Sequence, residues 1–204
     1  MKILNQEDII KFRGFEEDYR LGNFVIITEF FDSMSLDNFL LKKSTISLQN
    51  DRHILDQILT SLLYIHENSI AHGDFNLKNI LISPSDNYKI KIIDFGLSKQ
   101  IDFKENCEDL LTPQGNHKYR APKSDIFQNS FACDLWGFGL VALSVLMKKK
   151  VSTKKALKIL EDGETNGNNG SDDVNNAVEI LKVLMKAQDY VGVRDVALMM
   201  RKLF

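Results

Sequence analysis

The chain has 204 residues, 44% hydrophobic and 26% charged, the balance of a folded chain and not of a disordered one. Its 26 Lys and Arg against 28 Asp and Glu give a net charge of −2, which excludes nucleic-acid binding through bulk positive charge. Two cysteines, Cys107 and Cys133, with no Cys-x-x-Cys and no adjacent histidine, exclude a disulfide scaffold and a zinc module.

In chain order, Ile9, Ile10 and Phe12 form one apolar cluster and Phe24 to Ile27 another, separated by the polar, turn-prone stretch Glu16 to Asn23. This pattern predicts two short strands joined as a hairpin. Leu36, Phe39 and Leu40 recur at helical spacing within Ser35 to Lys43. A long amphipathic helix follows, with Ile54, Leu55, Ile58, Leu59, Leu62 and Ile65 on one stripe. The period then changes. Ile80-Leu81-Ile82 and Tyr88 to Ile93 read as strands, divided by the turn Ser83-Pro84-Ser85-Asp86-Asn87, and so as a second hairpin. Residues 100–131 are irregular, with Pro113 and Pro122. The remainder is predicted helical over about 132–148, 152–161, 173–188 and 193–203, and the Asn-Gly-rich stretch Gly163 to Asn176 reads as a mobile loop. The apolar run Leu135 to Met147 is too short to span a bilayer and is predicted to be a buried core helix. The N-terminus has no sustained apolar stretch, so no signal peptide and no membrane partner are expected; the expected setting is the cytoplasm, with the nucleus also open.

The chemistry concentrates in Ile70-Ala71-His72-Gly73-Asp74-Phe75-Asn76-Leu77-Lys78-Asn79-Ile80-Leu81-Ile82, where Asp74 precedes Asn79 by five residues in a loop leading into a strand. Fifteen residues after Asn79, Asp94-Phe95-Gly96 closes the next strand. Phosphoryl transfer from a nucleotide needs a carboxylate to orient or deprotonate the attacking hydroxyl, and oxygen ligands that hold Mg²⁺ against the phosphates. Asp74 suits the first task. Asn79 and Asp94 suit the second, since the hairpin would bring both to one end of the sheet. Two other patterns carry no such weight. Gly137-Phe138-Gly139-Leu140-Val141-Ala142 matches a dinucleotide-binding fingerprint, but no strand precedes it, and close helix packing is the expected use of its glycines. Lys148-Lys149-Lys150 reads as a solvated helix end.

In order and spacing, His72-Gly73-Asp74…Asn79 followed by Asp94-Phe95-Gly96 resembles the eukaryotic protein kinase family, with its H-R-D-x-x-x-x-N loop and D-F-G. The resemblance extends outward. Gly115 to Lys123, containing Tyr119-Arg120-Ala121-Pro122, looks like the end of an activation segment, and Asp134-Leu135-Trp136-Gly137 like the start of the central helix of the large lobe. Val25 to Phe31 looks like the last small-lobe strand and the hinge. The resemblance implies an α+β fold with a mainly helical large lobe over 32–204 and a truncated small-lobe sheet over 1–31. Its catalytic loop is then 70–82 and its activation segment 94–123. It implies ATP and Mg²⁺ as cofactors, Asp74 as catalytic residue, Asn79 and Asp94 as metal ligands, and Thr28, Glu29, Phe31 and Leu81 around adenine. It also implies that His72, Phe95, Phe12 and Leu4 stack as one column above Asp134.

The departures are as informative. Ahead of Glu29 the only glycines are Gly14 and Gly22 and the only lysines Lys2 and Lys11, so a Gly-rich loop and the ATP-anchoring lysine are missing from this sequence. The arginine of H-R-D is Gly73, the lysine two residues after the aspartate is Asn76, and the glutamate of A-P-E is Lys123. That last change would set Lys123 against Arg194 where the family has an ion pair. The resulting expectation is ATP-dependent phosphoryl transfer to protein hydroxyls, serine or threonine favoured, weak or absent from the isolated chain. The alternatives are a pseudokinase that binds partners, and a small-molecule phosphotransferase, which also uses a His-Gly-Asp…Asn loop. The expected partners are a protein substrate or docking partner. Self-association through the under-covered strand Phe24 to Ile27 is also expected.

Overall fold

A computed structural model describes residues 4–18, 22–42, 47–101, 118, 121–122, 130–162 and 172–186. Strand β1 (Phe12–Asp18) pairs antiparallel with β2 (Asn23–Thr28), placing Phe15 opposite Ile26 and Glu17 opposite Phe24, with a bulge between Phe12 and Gly14. Of the expected turn over Glu16 to Asn23, Glu16 to Asp18 and Asn23 are therefore strand and Gly22 is turn. Both faces of this hairpin meet solvent, so Glu16 and Glu17 sit in a strand without desolvation. Ile9 and Ile10, expected in the same hairpin, attach elsewhere: Ile9 bridges Ile92 in parallel, Ile10 N donates to Ile92 O at 3.0 Å, and Ile92 N to Asp8 O at 2.8 Å. There both isoleucines are buried, which the thin hairpin could not achieve.

Next come the two-residue strand β3 (Met34–Ser35) and helix α1 (Leu36–Leu41), capped by Ser35, whose Oγ accepts from Asn38 N. Helix α2 (Leu48–Glu67) starts the same way, with Ser47 Oγ accepting from Asn50 N and Asp51 in the first turn. It runs further toward the N-terminus than its apolar stripe, because the cap and not the periodicity fixes its start. The short strand β4 (Ile70–Ala71) leads into the loop before β5 (Ile80–Ser83), which pairs with β6 (Lys89–Ile92) and, on its other edge, β3. Tyr88, expected in the strand, belongs to the turn: it and Asn87 both take left-handed conformations. Strand β7 (Lys99–Gln100) returns to pair with β4.

Helix α3 (Ser130–Leu146) is apolar all round and buried through most of its length, the centre of the core together with α2. Helices α4 (Thr153–Asp162) and α5 (Asp172–Lys186) pack outside it. Val174 to Asn176 fall in both the expected helix 173–188 and the expected loop Gly163 to Asn176, and the structure puts them in α5, where Val174, Ala177 and Val178 bury one stripe. The helix expected over 193–203, the facing of Lys123 and Arg194, and most of the segment 94–123 lie outside the described residues. Lys148 and Lys150 are not simply solvated: Lys148 pairs with Asp51, and Lys150 Nζ with Asp37 Oδ1 at 2.7 Å. Among the described residues no helix is long and apolar enough to cross a membrane.

Gly137 and Gly139 permit close packing, as the sequence suggested, but against different neighbours. A Cβ at Gly137 would lie 2.4 Å from the Phe75 carbonyl oxygen, a backbone atom of the loop after β4. At Gly139 it would lie 2.4 Å from Leu181 Cδ2, the end of a rotatable side chain. Gly137→Ala is therefore expected to destabilise by roughly 2 kcal/mol, overpacking outweighing the gain in helix propensity. Gly139→Ala should be close to neutral. Urea denaturation of both variants measures this; equal effects would show that the Phe75 backbone yields as readily as a leucine methyl.

Candidate active site

The loop between β4 and β5 is held from below by Asp134 on α3. Asp134 Oδ2 accepts from His72 N at 2.7 Å, Oδ1 from Gly73 N at 2.9 Å, and Oδ2 also meets His66 Nε2 at 3.0 Å. Burial and then the Asp134 charge push the neighbouring Cys133 thiol up to about 11, so it stays protonated at neutral pH. The fully buried His72 takes its N–H from Asp74 into Nδ1 at 3.3 Å and faces the Ile93 carbonyl with Nε2 at 3.0 Å, which fixes the Nε2–H tautomer. Its ring lies 5.0 Å from that of Phe95, centroid to centroid. The expected contact of His72 with Phe95 above Asp134 is thus present, Leu4 is buried in the same core, and Phe12 lines the cleft beside Phe95.

Asp74, half-buried, is gripped by two asparagines. Asn79 Nδ2 donates to Asp74 O at 2.8 Å and to Asp74 Oδ2 at 3.0 Å, and Asn76 Nδ2 to Asp74 O at 2.9 Å. With its amide group turned to Asp74, Asn79 has its carbonyl oxygen left for a cation. Ile93 N donates to Asn79 O at 2.9 Å, which brings the start of Asp94-Phe95-Gly96 beside Asn79 at one end of the sheet. Asp94 is exposed, left-handed (φ 63°), and closes a turn by accepting from Gly96 N at 3.2 Å. Two hard oxygen donors fit a small divalent cation that completes its shell with phosphate and water. Asn76, in place of the family lysine, is a buried brace whose Oδ1 also accepts from Lys78 N at 2.9 Å.

From Asp94 a cleft of 940 Å³ extends to the hinge, lined by Ile10, Phe12, Phe15, Ile26, Thr28, Glu29, Phe30, Phe31, Leu81 and Phe95 among others. All four expected adenine-site residues lie on it. The hinge backbone is partly committed: Glu29 N donates to Lys11 O at 2.9 Å, and Phe31 O accepts from Ser33 Oγ at 2.9 Å. Thr28 Oγ1 donates to Glu29 O at 3.2 Å, which leaves that carbonyl one lone pair, and Phe31 N–H has no partner among the described residues; these two groups are the pair that an adenine edge could meet. The Glu29 side chain turns away, to Lys91 Nζ at 2.8 Å and Lys11 N at 2.9 Å. Lys91, 7% exposed, also donates to Glu7 O at 2.6 Å and lies 5.5 Å from the Phe31 ring centroid. Burial would raise the Glu29 carboxyl, but the bonds from Lys91 and Lys11 together hold it below its ordinary value.

His66 and Lys91 are the functional neighbours that the sequence reading missed. His66 was findable, since it lies four residues beyond Leu62 on the buried stripe of α2, where a polar residue needs a partner. Lys91 alternates with Ile90 and Ile92 and reads as solvent-facing; nothing local to it signals burial.

A model of the protein kinase domain matches residues 1–188. A probable serine/threonine-protein kinase KIN1 homolog of Encephalitozoon cuniculi is 30% identical over 148 residues, 71% of this chain and 25% of that protein. The serine/threonine-protein kinase polo of Drosophila melanogaster is 30% identical over 156 residues, 76% of this chain and 26% of that protein. Calcium-dependent protein kinase 6 of Plasmodium berghei is 33% identical over 125 residues, 60% of this chain and 8% of that protein. The chain thus spans about a quarter, or less, of the relatives it matches.

Two variants test the geometry. Gly73 has φ 82°, and a Cβ there would sit 2.4 Å from the Leu97 carbonyl oxygen, so arginine cannot be restored without moving the segment after Gly96. Gly73→Arg should lower the melting temperature; an unchanged melt would show that the Gly73–Leu97 approach is not needed. Glu29→Ala strands the Lys91 ammonium on one carbonyl and should cost about 3 kcal/mol at neutral pH by urea denaturation. Because the Glu29 pKa is depressed, its contribution is full above the ordinary carboxylate value and fades as pH falls through the lower folded one. The variant and the parent should therefore converge in strong acid.

Proposed function

The chain belongs to the protein kinase family, and we propose that it binds ATP with Mg²⁺ in the cleft and directs phosphoryl transfer to protein hydroxyls through Asp74. The observation that carries this is the joint grip on Asp74: Asn79 and Asn76 fix it from above while Asp134 fixes His72 and Gly73 beneath. Serine or threonine as acceptor is supported by relatives named as serine/threonine kinases. On this reading Phe31 N–H and the Glu29 carbonyl meet adenine, Leu81 and the Phe12 side of the hairpin enclose it, and Thr28 borders its inner edge. Asn79 and Asp94 would hold the cation, and Asp74 takes the proton of the incoming hydroxyl. ATP supplies the phosphoryl group, and Mg²⁺ neutralises the charge on its phosphates. We place this activity in the cytoplasm.

The sequence given carries no Gly-rich loop or anchoring lysine ahead of Glu29, and each missing charge-assisted contact forgoes about 1.5–3 kcal/mol. Weak transfer by this chain alone follows. The openness of the cleft favours a second reading, a pseudokinase that binds partners: Phe30 is 90% exposed, and Phe15, Phe24 and Ile26 are each more than half exposed. The same surface supports self-association, which light scattering over a concentration series would reveal.

Calorimetry with ATP, with and without Mg²⁺, alongside radiolabel transfer to a protein substrate, tests both readings. Weak binding strengthened by Mg²⁺ and transfer near background are expected. Asp94→Ala should remove the Mg²⁺ dependence and Asp74→Ala should leave nucleotide binding nearly unchanged. Robust transfer lost in Asp74→Ala would overturn the weak-alone expectation. No nucleotide binding under any condition would leave the binding-module reading.

A further inference from the structure

Between α3 and the end of α4 the chain carries six lysines, Lys148, Lys149, Lys150, Lys154, Lys155 and Lys158, and no acidic residue before Glu161. Asp51 and Asp37 pair with Lys148 and Lys150. Lys149, Lys154, Lys155 and Lys158 are exposed, and among the described residues no carboxylate lies within ion-pair distance of any of them. Lys154, Lys155 and Lys158 stand three and four residues apart on one face of α4, while Ala156 and Ile159 bury the other. Two of these lysines occupy the first helical turn, where the macrodipole disfavours a cation and Asp or Glu is the stabilising choice. In a chain of net charge −2, this is a local concentration of positive charge set against the preference of its own helix.

The start of α4 is bonded to the residue preceding the Tyr119-Arg120-Ala121-Pro122 stretch and to α3, the helix that holds the Asp74 loop. Thr153 N donates to Lys118 O at 2.9 Å, next to the Tyr119-Arg120-Ala121-Pro122 stretch, and Trp136 Nε1 donates to Thr153 Oγ1 at 3.1 Å. Trp136 is two residues along α3 from Asp134, which holds the Asp74 loop. We propose that the Lys149–Lys158 face docks an acidic segment of the polypeptide whose hydroxyl reaches Asp74, so that this chain selects Asp- and Glu-rich protein substrates. The proposal rests on the reading of the chain as acting on proteins. Charge complementarity names the occupant. Among the described residues the face offers no exposed aromatic side chain on which a base could stack, and no exposed apolar side chain to enter a lipid interface, which argues against RNA and membrane.

The test is fluorescence anisotropy of the full chain with a labelled serine peptide flanked by glutamates, without nucleotide, at low and high salt. Its control is the same peptide with glutamines. The acidic peptide should bind, the control should not, and added salt should weaken binding. Lys154→Glu with Lys155→Glu should weaken it about tenfold or more. The same double variant should melt at a higher temperature, since glutamates suit the first turn of α4, so lost binding cannot be put down to unfolding. Unchanged affinity in the double variant, no binding of the acidic peptide, or tighter binding of polyuridylate or phosphatidylserine vesicles would each overturn the proposal. Because no nucleotide is present, the peptide result is independent of phosphoryl transfer, and a failure to bind ATP by calorimetry would count against the catalytic reading alone. Equal affinity for the glutamine peptide and the acidic one would count against the docking face alone.

Discussion

A single buried carboxylate organises the candidate active site. Asp134, 1% exposed, uses both oxygens to accept from two consecutive backbone N–H groups and meets His66 as well. Buried N–H groups without acceptors are costly, and so is a buried carboxylate without donors, so each side requires the other. With His72 and Gly73 pinned, Gly73 takes the left-handed conformation that lets the Leu97 carbonyl approach. His72 then meets both Phe95 and the Ile93 carbonyl, and Asp74 emerges where the asparagines can grip it. Glycine in place of the family arginine is therefore part of the local geometry of the loop, not a vacancy in it.

The cleft has a second constraint at its other end. Lys91 sits on the strand that leads to Asp94, and Glu29 lies beyond β2, so their ion pair joins the Asp94 end of the cleft to the Glu29 end. Through Glu7 O and Lys11 N the same pair secures the segment before β1 against β6. A buried pair of this kind adds little net stability over an apolar substitute, but it admits one arrangement of the strands it joins. The β1–β2 hairpin, by contrast, has both faces in solvent and depends on the hinge end for its placement.

The family membership and the departures from the family pattern bear on different levels. The match over residues 1–188 accounts for the architecture and the order of the loops. Asn76 and Gly73 act within the catalytic loop, where each is satisfied by close contacts of its own. The lysines of α4 act outside it, on a surface where helix stability alone would favour acids.

Much of this was legible in the sequence, for a physical reason. Periodicity is local, so the stripe from Ile54 to Ile65 announces α2, though not the Ser47 cap that sets its start, and the turn at Pro84 to Asn87 announces the β5–β6 hairpin. The spacing of Asp74, Asn79 and Asp94 places three polar groups at the ends of those elements before any packing is known. Local pattern does not say which element buries a given face. Ile9 and Ile10 look like hairpin strand and instead join β6, because only there can they leave water. Lys91 looks exposed and is buried, because a glutamate distant in sequence and a backbone carbonyl more distant still converge on it. The sequence alone determined the elements and the chemical groups at their ends; the tertiary structure decided their partners, because burial and charge pairing depend on distances that only the folded chain sets.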